Sequence, residues 1–182
     1  SCVIRGFHAG IRFVGPTDMD TVNGVGGSFF VSDTLAADNY IGLTAVGVGP
    51  SPPLAQMLNV EHCHFDGNSG YGLLVGYFVT ATARDSTANN NSGYHGFEVY
   101  SANSLHAELT LDHCCAVGNG FSGFDVRGVN AIGRASDSSF LNNQQYGLEN
   151  DPGGTLVSFG NNRIEGNGSA PMSGPITNGT LH

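Results

Sequence analysis

The stretch VEHCHFDGNSGYGLLV, residues 60–75, contains the pattern that decides the fold. In its first half, polar residues separate Val60, Cys63 and Phe65. This pattern is typical of a short strand with one buried face. Asn68 marks a turn, because Asn tolerates the left-handed backbone region better than most residues. A second in-out-in strand follows at Leu73–Val75. The stretch predicts two short strands joined by an asparagine turn.

The same pattern recurs along nearly the whole chain. The turn asparagines follow one another at spacings of 23, 28, 24 and 24 residues: Asn68, Asn91, Asn119, Asn143 and Asn167. Eight residues before each stand Val60, Ala83, Leu111, Ala135 and Phe159. Five residues before each stand Cys63, Ser86, Cys114, Ser138 and Asn162, and three before each stand Phe65, Ala88, Ala116, Phe140 and Ile164.

The second strand of each repeat is equally regular. It begins with a glycine and continues with a large apolar residue: Gly72-Leu73, Gly96-Phe97, Gly123-Phe124 and Gly147-Leu148. Two residues further stand Val75, Val99, Val126 and Asn150. The first quarter carries two looser copies, one with Cys2, Ile4, Phe7, Gly10, Ile11 and Phe13, the other with Val25, Ser28, Phe30, Asp33, Gly42 and Leu43.

A period of 23 to 32 residues without a helical pattern suits a solenoid whose coils climb one strand spacing, about 4.8 Å, per turn. Parallel crossovers are almost always right-handed. The sequence therefore predicts an all-β, single-stranded right-handed parallel β-helix of about seven coils with an Asn-lined turn. A β-sandwich with evenly spaced strands is the alternative fold.

One β-helix domain is expected over residues 1–182, with coils over 1–167 and a C-terminal tail or cap over 168–182. Two longer loops, at 47–53 and 100–107, extend coils on one side, where repeat proteins often build a binding face. The N-terminal edge shows no evident cap. We expect an upstream segment or another chain to cover it.

Charge and composition exclude several classes of function. Six Lys and Arg against fifteen Asp and Glu give a net charge of −9, which leaves no basic surface for nucleic acid. The same surplus repels an acidic polysaccharide unless a cation such as Ca²⁺ bridges the two, whereas neutral glycans face no such penalty. No apolar run is long enough for a membrane span. Because the chain begins with Ser1 inside a repeat and shows no signal peptide, we expect a processed or excised piece.

The run Cys63-x-Phe65, Asn68 and Gly70-Tyr71-Gly72-Leu73 resembles the parallel β-helix repeats of pectate-lyase-like proteins. The stretch 154–162, followed by 166–168, resembles the closing coil of bacterial secreted β-helix repeat proteins. The resemblance implies an extracellular or cell-surface bacterial protein. Its superfamily includes lyases, hydrolases, epimerases, adhesins and phage tailspikes, so it specifies a fold without an activity.

A column of outward positions carries the candidate chemistry. It follows the glycines and reads Arg12, Thr44, Leu74, Glu98, Asp125 and Glu149. Its three carboxylates should stack about 5 Å apart, close enough to share a cation or to act as acid and base. The predicted catalytic set is Glu98, Asp125, Glu149, Arg127 and Tyr100, with Asp151 beside it. The predicted metal set is Glu98, Asp125 and Glu149, with Ca²⁺ as the candidate ion. The alternative is a solvated acidic face.

The cysteines and histidines favour structural roles. We expect Cys2, Cys63 and Cys114 to be buried free thiols, because they share an inward column on alternate coils and their sulfurs are roughly 9 to 10 Å apart. Ser28 and Ser86 should lie between them, and Cys115 should point outward. The histidines near the first strand, His62, His64 and His113, share that region with Asp85 and Asp137. Exposed hydrogen bonding is the favoured interpretation over a metal site.

Three functions remain open at this point. The preferred one is a non-catalytic secreted or surface module that binds carbohydrate or a protein partner through its loops and polar sheet face. A polysaccharide lyase, hydrolase or epimerase acting on the sheet face is the second. The third is a structural spacer of a longer fibrous protein.

Overall fold

The computed structural model describes residues 1–14, 27–47, 56–102 and 105–180. These residues form nineteen strands: β1 (Cys2–Ile4), β2 (Ala9–Val14), β3 (Ser28–Ser32), β4 (Thr34–Ala36), β5 (Ile41–Val46), β6 (Gln56–Glu61), β7 (Tyr71–Val75), β8 (Val79–Arg84), β9 (Phe97–Tyr100), β10 (Ala107–Asp112), β11 (Cys115–Val117), β12 (Phe124–Arg127), β13 (Ala131–Ser136), β14 (Ser139–Leu141), β15 (Tyr146–Asn150), β16 (Thr155–Phe159), β17 (Arg163–Glu165), β18 (Ala170–Ser173) and β19 (Ile176–Gly179). Within the described ranges no helix is long and apolar enough to cross a membrane.

The strands stack into parallel sheets, as the repeat predicted. The sheet that we call the site sheet has the order β2-β5-β7-β9-β12-β15-β18, and the back sheet has the order β3-β6-β8-β10-β13-β16-β19. A third face consists of the pair β1-β4 and the sheet β11-β14-β17, linked by single parallel bridges through His64 and Thr87. The prediction of an all-β parallel solenoid is confirmed.

The core consists of the predicted columns. Strand pairing brings into one register the residues that follow the glycines, namely Leu43, Leu73, Phe97, Phe124 and Leu148, and all five are fully buried. Each buried side chain of this size contributes about 1.5–3 kcal/mol. Because a single coil cannot enclose its own apolar face, this contribution depends on stacking.

The turn asparagines form a hydrogen-bonded ladder inside the solenoid. Asn68 donates its backbone N–H and its side-chain Nδ2 to Oδ1 of Asn91, at 2.9 and 3.1 Å. The same paired bonds join Asn91 to Asn119, Asn119 to Asn143 and Asn143 to Asn167. The ladder thus satisfies backbone groups of the turn that would otherwise be buried without partners.

One member of the ladder was missed. The buried Asn39 donates its backbone N–H to Oδ1 of Asn68 at 3.0 Å, and its own Oδ1 accepts the N–H of Phe7 at 3.0 Å. The spacing of the later asparagines does not reveal Asn39, because the coils of the first quarter are longer.

A second ladder runs through the column of Thr34, Cys63, Ser86, Cys114 and Ser138. The Ser86 hydroxyl donates to the carbonyl of Arg84 at 2.7 Å and accepts the N–H of Cys63 at 3.1 Å. The residues just before this column, Asp33, His62, Asp85, His113 and Asp137, all have φ between 47° and 52°. Each residue in the predicted column of alternating His and Asp therefore adopts the left-handed conformation at a turn. His64 and His113 make hydrogen bonds at exposed positions there.

All four cysteines are free. Cys63 and Cys114 are buried as predicted, and burial raises the pKa of both thiols, that of Cys114 to about 12. Cys2 is exposed, so the prediction of a buried thiol is wrong there. It lies on the first strand, and its neighbour in the next coil is Thr34 rather than Ser28.

The predicted register also fails near both ends. Ser158, not Phe159, pairs with Ala135 and is buried, because the turn before Asn162 contains one more residue than the turns before it. In the first quarter Val31 pairs with Val60, which leaves Phe30 outside and 64% exposed.

The C-terminal residues continue the solenoid, where the sequence predicted a tail outside the coils over 168–182. Strand β18 pairs with β15, and β19 pairs with β16. Pro171 is compatible with this role because β18 is an edge strand. Residues 181–182, most of the predicted loop at 47–53, Val25 and part of the loop at 100–107 lie outside the described residues.

We expect Asn91→Ala to lower the free energy of unfolding by about 2 to 4 kcal/mol, because it leaves buried donors of Asn68 without an acceptor. Chemical denaturation measures the effect. Asn59→Ala is the matched control, since Asn59 lies half-buried on the outer face of β6, and we expect a loss below about 0.5 kcal/mol. Equal losses in the two variants would contradict a stabilising ladder.

Candidate functional site

The acidic column exists as predicted. Strand pairing places Glu98 of β9, Asp125 of β12 and Glu149 of β15 side by side on consecutive coils. Towards the N-terminus the column continues through Leu74 and Thr44 to Arg12, and towards the C-terminus it ends at Ser173. The three carboxylates therefore lie on the fourth, fifth and sixth of the seven strands of the site sheet.

Two of these carboxylates are buried although they lie on the outer side of the sheet. Glu98 and Asp125 are each only 1% exposed, whereas Glu149 is half-buried. The alternative of a solvated face is wrong for these two residues. Side chains from neighbouring coils, above all Arg127 and His95, lie against them.

Arg127 joins the predicted residues into one cluster. Its Nη2 donates to Oε1 of Glu98 at 3.0 Å, and its guanidinium lies 5.0 Å from the centre of the Tyr100 ring. Glu98, Asp125 and Glu149 flank this pair through strand register. The structure thus brings the residues of the predicted catalytic set together. Their catalytic roles stay a prediction.

Sequence reasoning missed His95 and Ser122, which stand at equivalent positions just before the glycines Gly96 and Gly123. The buried His95 has its Nε2 3.7 Å from Oδ2 of Asp125, and its Nδ1 accepts the Ser122 N–H at 3.3 Å. The Ser122 hydroxyl donates to Oε2 of Glu149 at 2.6 Å. Both could have been found by reading the column three residues before each acid.

The cluster contains buried oxygens without hydrogen-bond partners. They are Oε2 of Glu98 and Oδ1 of Asp125. Buried polar atoms in proteins are nearly always paired, because an unpaired one loses its hydration without compensation. These two oxygens therefore favour either the neutral form of the acid or a nearby positive charge.

Burial shifts the pKa values of the cluster. It raises the pKa of Glu98 to about 7, against the opposing charge of Arg127, and raises that of Asp125 to about 8 with help from the charge of Glu98. Burial and the charge of Arg127 lower the pKa of His95 to about 4. His95 is consequently neutral at neutral pH, and the two acids keep their protons to a higher pH than ordinary carboxyls do.

An aromatic ridge runs along one side of the acidic column and consists of Tyr40, Tyr71, Tyr94 and Phe121. The Tyr71 and Tyr94 rings stack at 4.6 Å between centres, and those of Tyr94 and Phe121 at 5.6 Å. Tyr40, Tyr94 and Phe121 are 36 to 38% exposed. His95 lies between the ridge and the acids, with its ring centre 5.6 Å from that of Phe121.

A pocket lies at the N-terminal end of the same face. Its volume is about 510 Å³, and its lining includes Phe7, His8, Arg12 and Thr44. Arg12 and Thr44 belong to the column that continues to the acids. The ridge, the column and the pocket thus share one sheet face.

The predicted metal set is only partly reproduced as a cluster of ligand atoms. His95, Glu98 and Asp125 each offer one ligand atom, and these atoms lie within 4.8 Å of one another. Oε2 of Glu149 instead accepts the Ser122 hydroxyl. A second such group in the described part of the chain, Asp112, His113 and Asp137, lies near the surface.

We expect the stability of chelator-treated protein to fall as pH rises from about 4 to about 8. In the unfolded chain Glu98 and Asp125 ionise near pH 4, whereas the folded chain keeps their protons to about pH 7 and 8. The folded state therefore binds more protons across this interval. The stabilisation that these protons give to the folded state is complete below the interval and lost above it.

Urea denaturation across this range measures the slope. At pH 9, Glu98→Gln should raise the free energy of unfolding by on the order of 3 kcal/mol, at about 1.4 kcal/mol per pKa unit. Glu61→Gln, at the end of β6, is the matched control and should change it little. A pH slope that is unaltered in Glu98→Gln would show that the buried carboxyl does not titrate as described.

Comparison with known proteins identifies the fold family. Residues 25–144 match a family model described as "Right handed beta helix region". Searches of curated proteins and of solved structures gave no significant match. The match covers more than half of the chain and coincides with the parallel coils seen here. The chain therefore belongs to the right-handed β-helix family.

Proposed function

We propose that the chain binds a neutral polysaccharide along the outer face of the site sheet. The exposed aromatic ridge carries this proposal. Ligand sites are typically lined by aromatic side chains with a few placed polar groups, and here the ridge runs beside Arg127 and Glu149. A role at the cell surface or outside the cell is part of this proposal.

The spacing of the ridge supports a chain-like ligand. Tyr94 and Phe121 occupy consecutive coils, since the Phe121 N–H donates to the Tyr94 carbonyl at 3.1 Å. Successive coils are separated by about 4.8 Å, which is close to the length of one sugar unit. A polysaccharide lying parallel to the solenoid axis can therefore repeat the same contact from coil to coil.

Charge favours a neutral ligand. The chain carries a net charge of −9, and the acidic column lies beside the ridge. The net negative charge of the chain would repel an acidic polysaccharide, while the hydroxyl groups of a neutral one can donate hydrogen bonds to Glu149 and accept them from Arg127.

We expect Tyr94→Ala and Phe121→Ala each to weaken the binding of a neutral polysaccharide about tenfold, because each removes a stacking surface worth about 1–2 kcal/mol. Affinity electrophoresis against neutral and acidic polysaccharides measures it. Phe30→Ala is the matched control, since Phe30 is 64% exposed but lies on β3 of the back sheet. Tighter binding of the acidic polymer, or equal loss in all three variants, would contradict the proposal.

A second candidate function is acid–base cleavage of the bound polysaccharide. One observation favours it: Glu98 and Asp125 are neighbouring carboxyls with pKa values raised to about 7 and 8, and an acid that holds a proton near neutral pH is what glycosidic bond cleavage needs. Both are covered, so Arg127 would have to move away from Glu98 for the ligand to reach them.

If this second function is correct, Glu98→Gln and Asp125→Asn should each lower turnover at least 100-fold while polysaccharide binding persists. Release of reducing ends measures turnover. Glu61→Gln should leave it unchanged. Absence of turnover by the unaltered protein would leave binding as the function, and turnover that survives both substitutions would place the chemistry elsewhere.

A further inference from the structure

We infer that His95, Glu98 and Asp125 form a binding site for one divalent transition-metal ion of the Zn²⁺ type. The inference differs from the set expected from the sequence, since a nitrogen ligand replaces Glu149. It does not depend on polysaccharide binding, because it concerns a buried cluster rather than the exposed ridge.

The three side chains are already close enough to surround an ion. Their ligand atoms lie within 4.8 Å of one another, and Nε2 of His95 is 3.7 Å from Oδ2 of Asp125. Zn²⁺ binds His nitrogen and carboxylate oxygen at about 2.0–2.2 Å, which places its ligands roughly 3 to 4 Å apart. Small side-chain adjustments are therefore sufficient to close the site.

The partnerless oxygens are the independent observation that indicates a ligand. Oε2 of Glu98 and Oδ1 of Asp125 are buried without hydrogen-bond partners, on residues that are each only 1% exposed. The other oxygen of Glu98 is already taken by Arg127, and the other oxygen of Asp125 faces His95. A cation between the two carboxylates would give both oxygens the positive partner that they lack.

The set of ligands selects the class of ion. Ca²⁺ takes six to eight oxygen ligands, and this cluster supplies two carboxylates and a nitrogen. Imidazole with carboxylates suits first-row divalent ions such as Zn²⁺. Three protein ligands would leave one coordination position of a tetrahedral ion open, as in catalytic zinc sites.

Ion binding releases to solvent any protons that the Glu98 and Asp125 carboxyls hold, and it also changes the tautomer of His95. Since Nδ1 accepts the Ser122 N–H at 3.3 Å, the ring proton of the neutral side chain lies on Nε2. An ion at Nε2 replaces that proton, which is lost to solvent while Nδ1 gains one, and the contact with the Ser122 N–H then breaks because both groups are donors. The Ser122 hydroxyl can keep its bond to Glu149.

The exposed cluster of Asp112, His113 and Asp137 supplies the control. Asp112 already accepts hydrogen bonds from Ser136 and pairs with Arg84 and His113. None of its oxygens is among the buried partnerless atoms of the described residues. The exposed cluster therefore offers the same kinds of ligand atom, but it has no buried oxygen that lacks a positive partner.

The experiment titrates the chelator-treated chain of residues 1–182 with Zn²⁺ by calorimetry and with Co²⁺ by visible absorbance. We expect one ion per chain and a higher melting temperature with Zn²⁺. Glu98→Gln, Asp125→Asn and His95→Gln should each weaken binding at least tenfold, whereas His113→Gln should not. Melting temperatures of the ion-free variants verify that each one is folded.

Three results would overturn the inference. The first is the absence of stoichiometric Zn²⁺ binding by a folded chain. The second is binding that survives the substitutions at Glu98, Asp125 and His95 but is lost in His113→Gln, which would place the ion at the exposed cluster. The third is tighter binding of Ca²⁺ than of Zn²⁺, which would indicate an all-oxygen site.

Discussion

The structure depends on the hydrogen bonds that fix each coil at one strand spacing above the last. Parallel strand pairing supplies them along the sheets, and the asparagine ladder from Asn39 to Asn167 supplies them at the turn. Because the ladder is buried from Asn39 to Asn143, a coil cannot slip by one residue without leaving amide groups unpaired. Because of this constraint, equivalent residues of successive repeats stack in columns. The core and the acidic cluster are both built from such columns.

The same stacking that assembles the core also assembles the acidic cluster. On the inner side of the sheet it superimposes Leu73, Phe97 and Phe124, whose apolar side chains pack against one another without an electrostatic penalty. Outside the sheet it superimposes Glu98 and Asp125, where two carboxyl groups meet in a site closed to solvent. An arrangement that raises two carboxyl pKa values destabilises the ionised protein, and such arrangements are concentrated at functional sites.

The alternation of residues made the interior of the repeat predictable, because it fixes which side chains of a strand point inward. It could not show that Glu98 and Asp125 are covered, since the residues that cover them belong to a turn and to the neighbouring coil. His95 comes close to Asp125 only through stacking, because the two residues belong to consecutive coils. At the ends the errors have a local cause: one additional residue before Asn162 shifts Ser158 into the column expected to hold Phe159. Cys2 is exposed because its strand is the first of its face.

The ridge and the buried cluster differ in what can reach them. Tyr94 and Phe121 are open to a large ligand in the structure as it stands, whereas Glu98 and Asp125 admit only a small ion until Arg127 leaves Oε1 of Glu98. Arg127 is held from two sides, by that carboxylate and by the Tyr100 ring. An ion bound to Glu98 would weaken the first of these contacts, because it neutralises the charge that attracts the guanidinium. Metal binding within the cluster would thereby loosen the side chain that separates the acids from a ligand lying on the ridge.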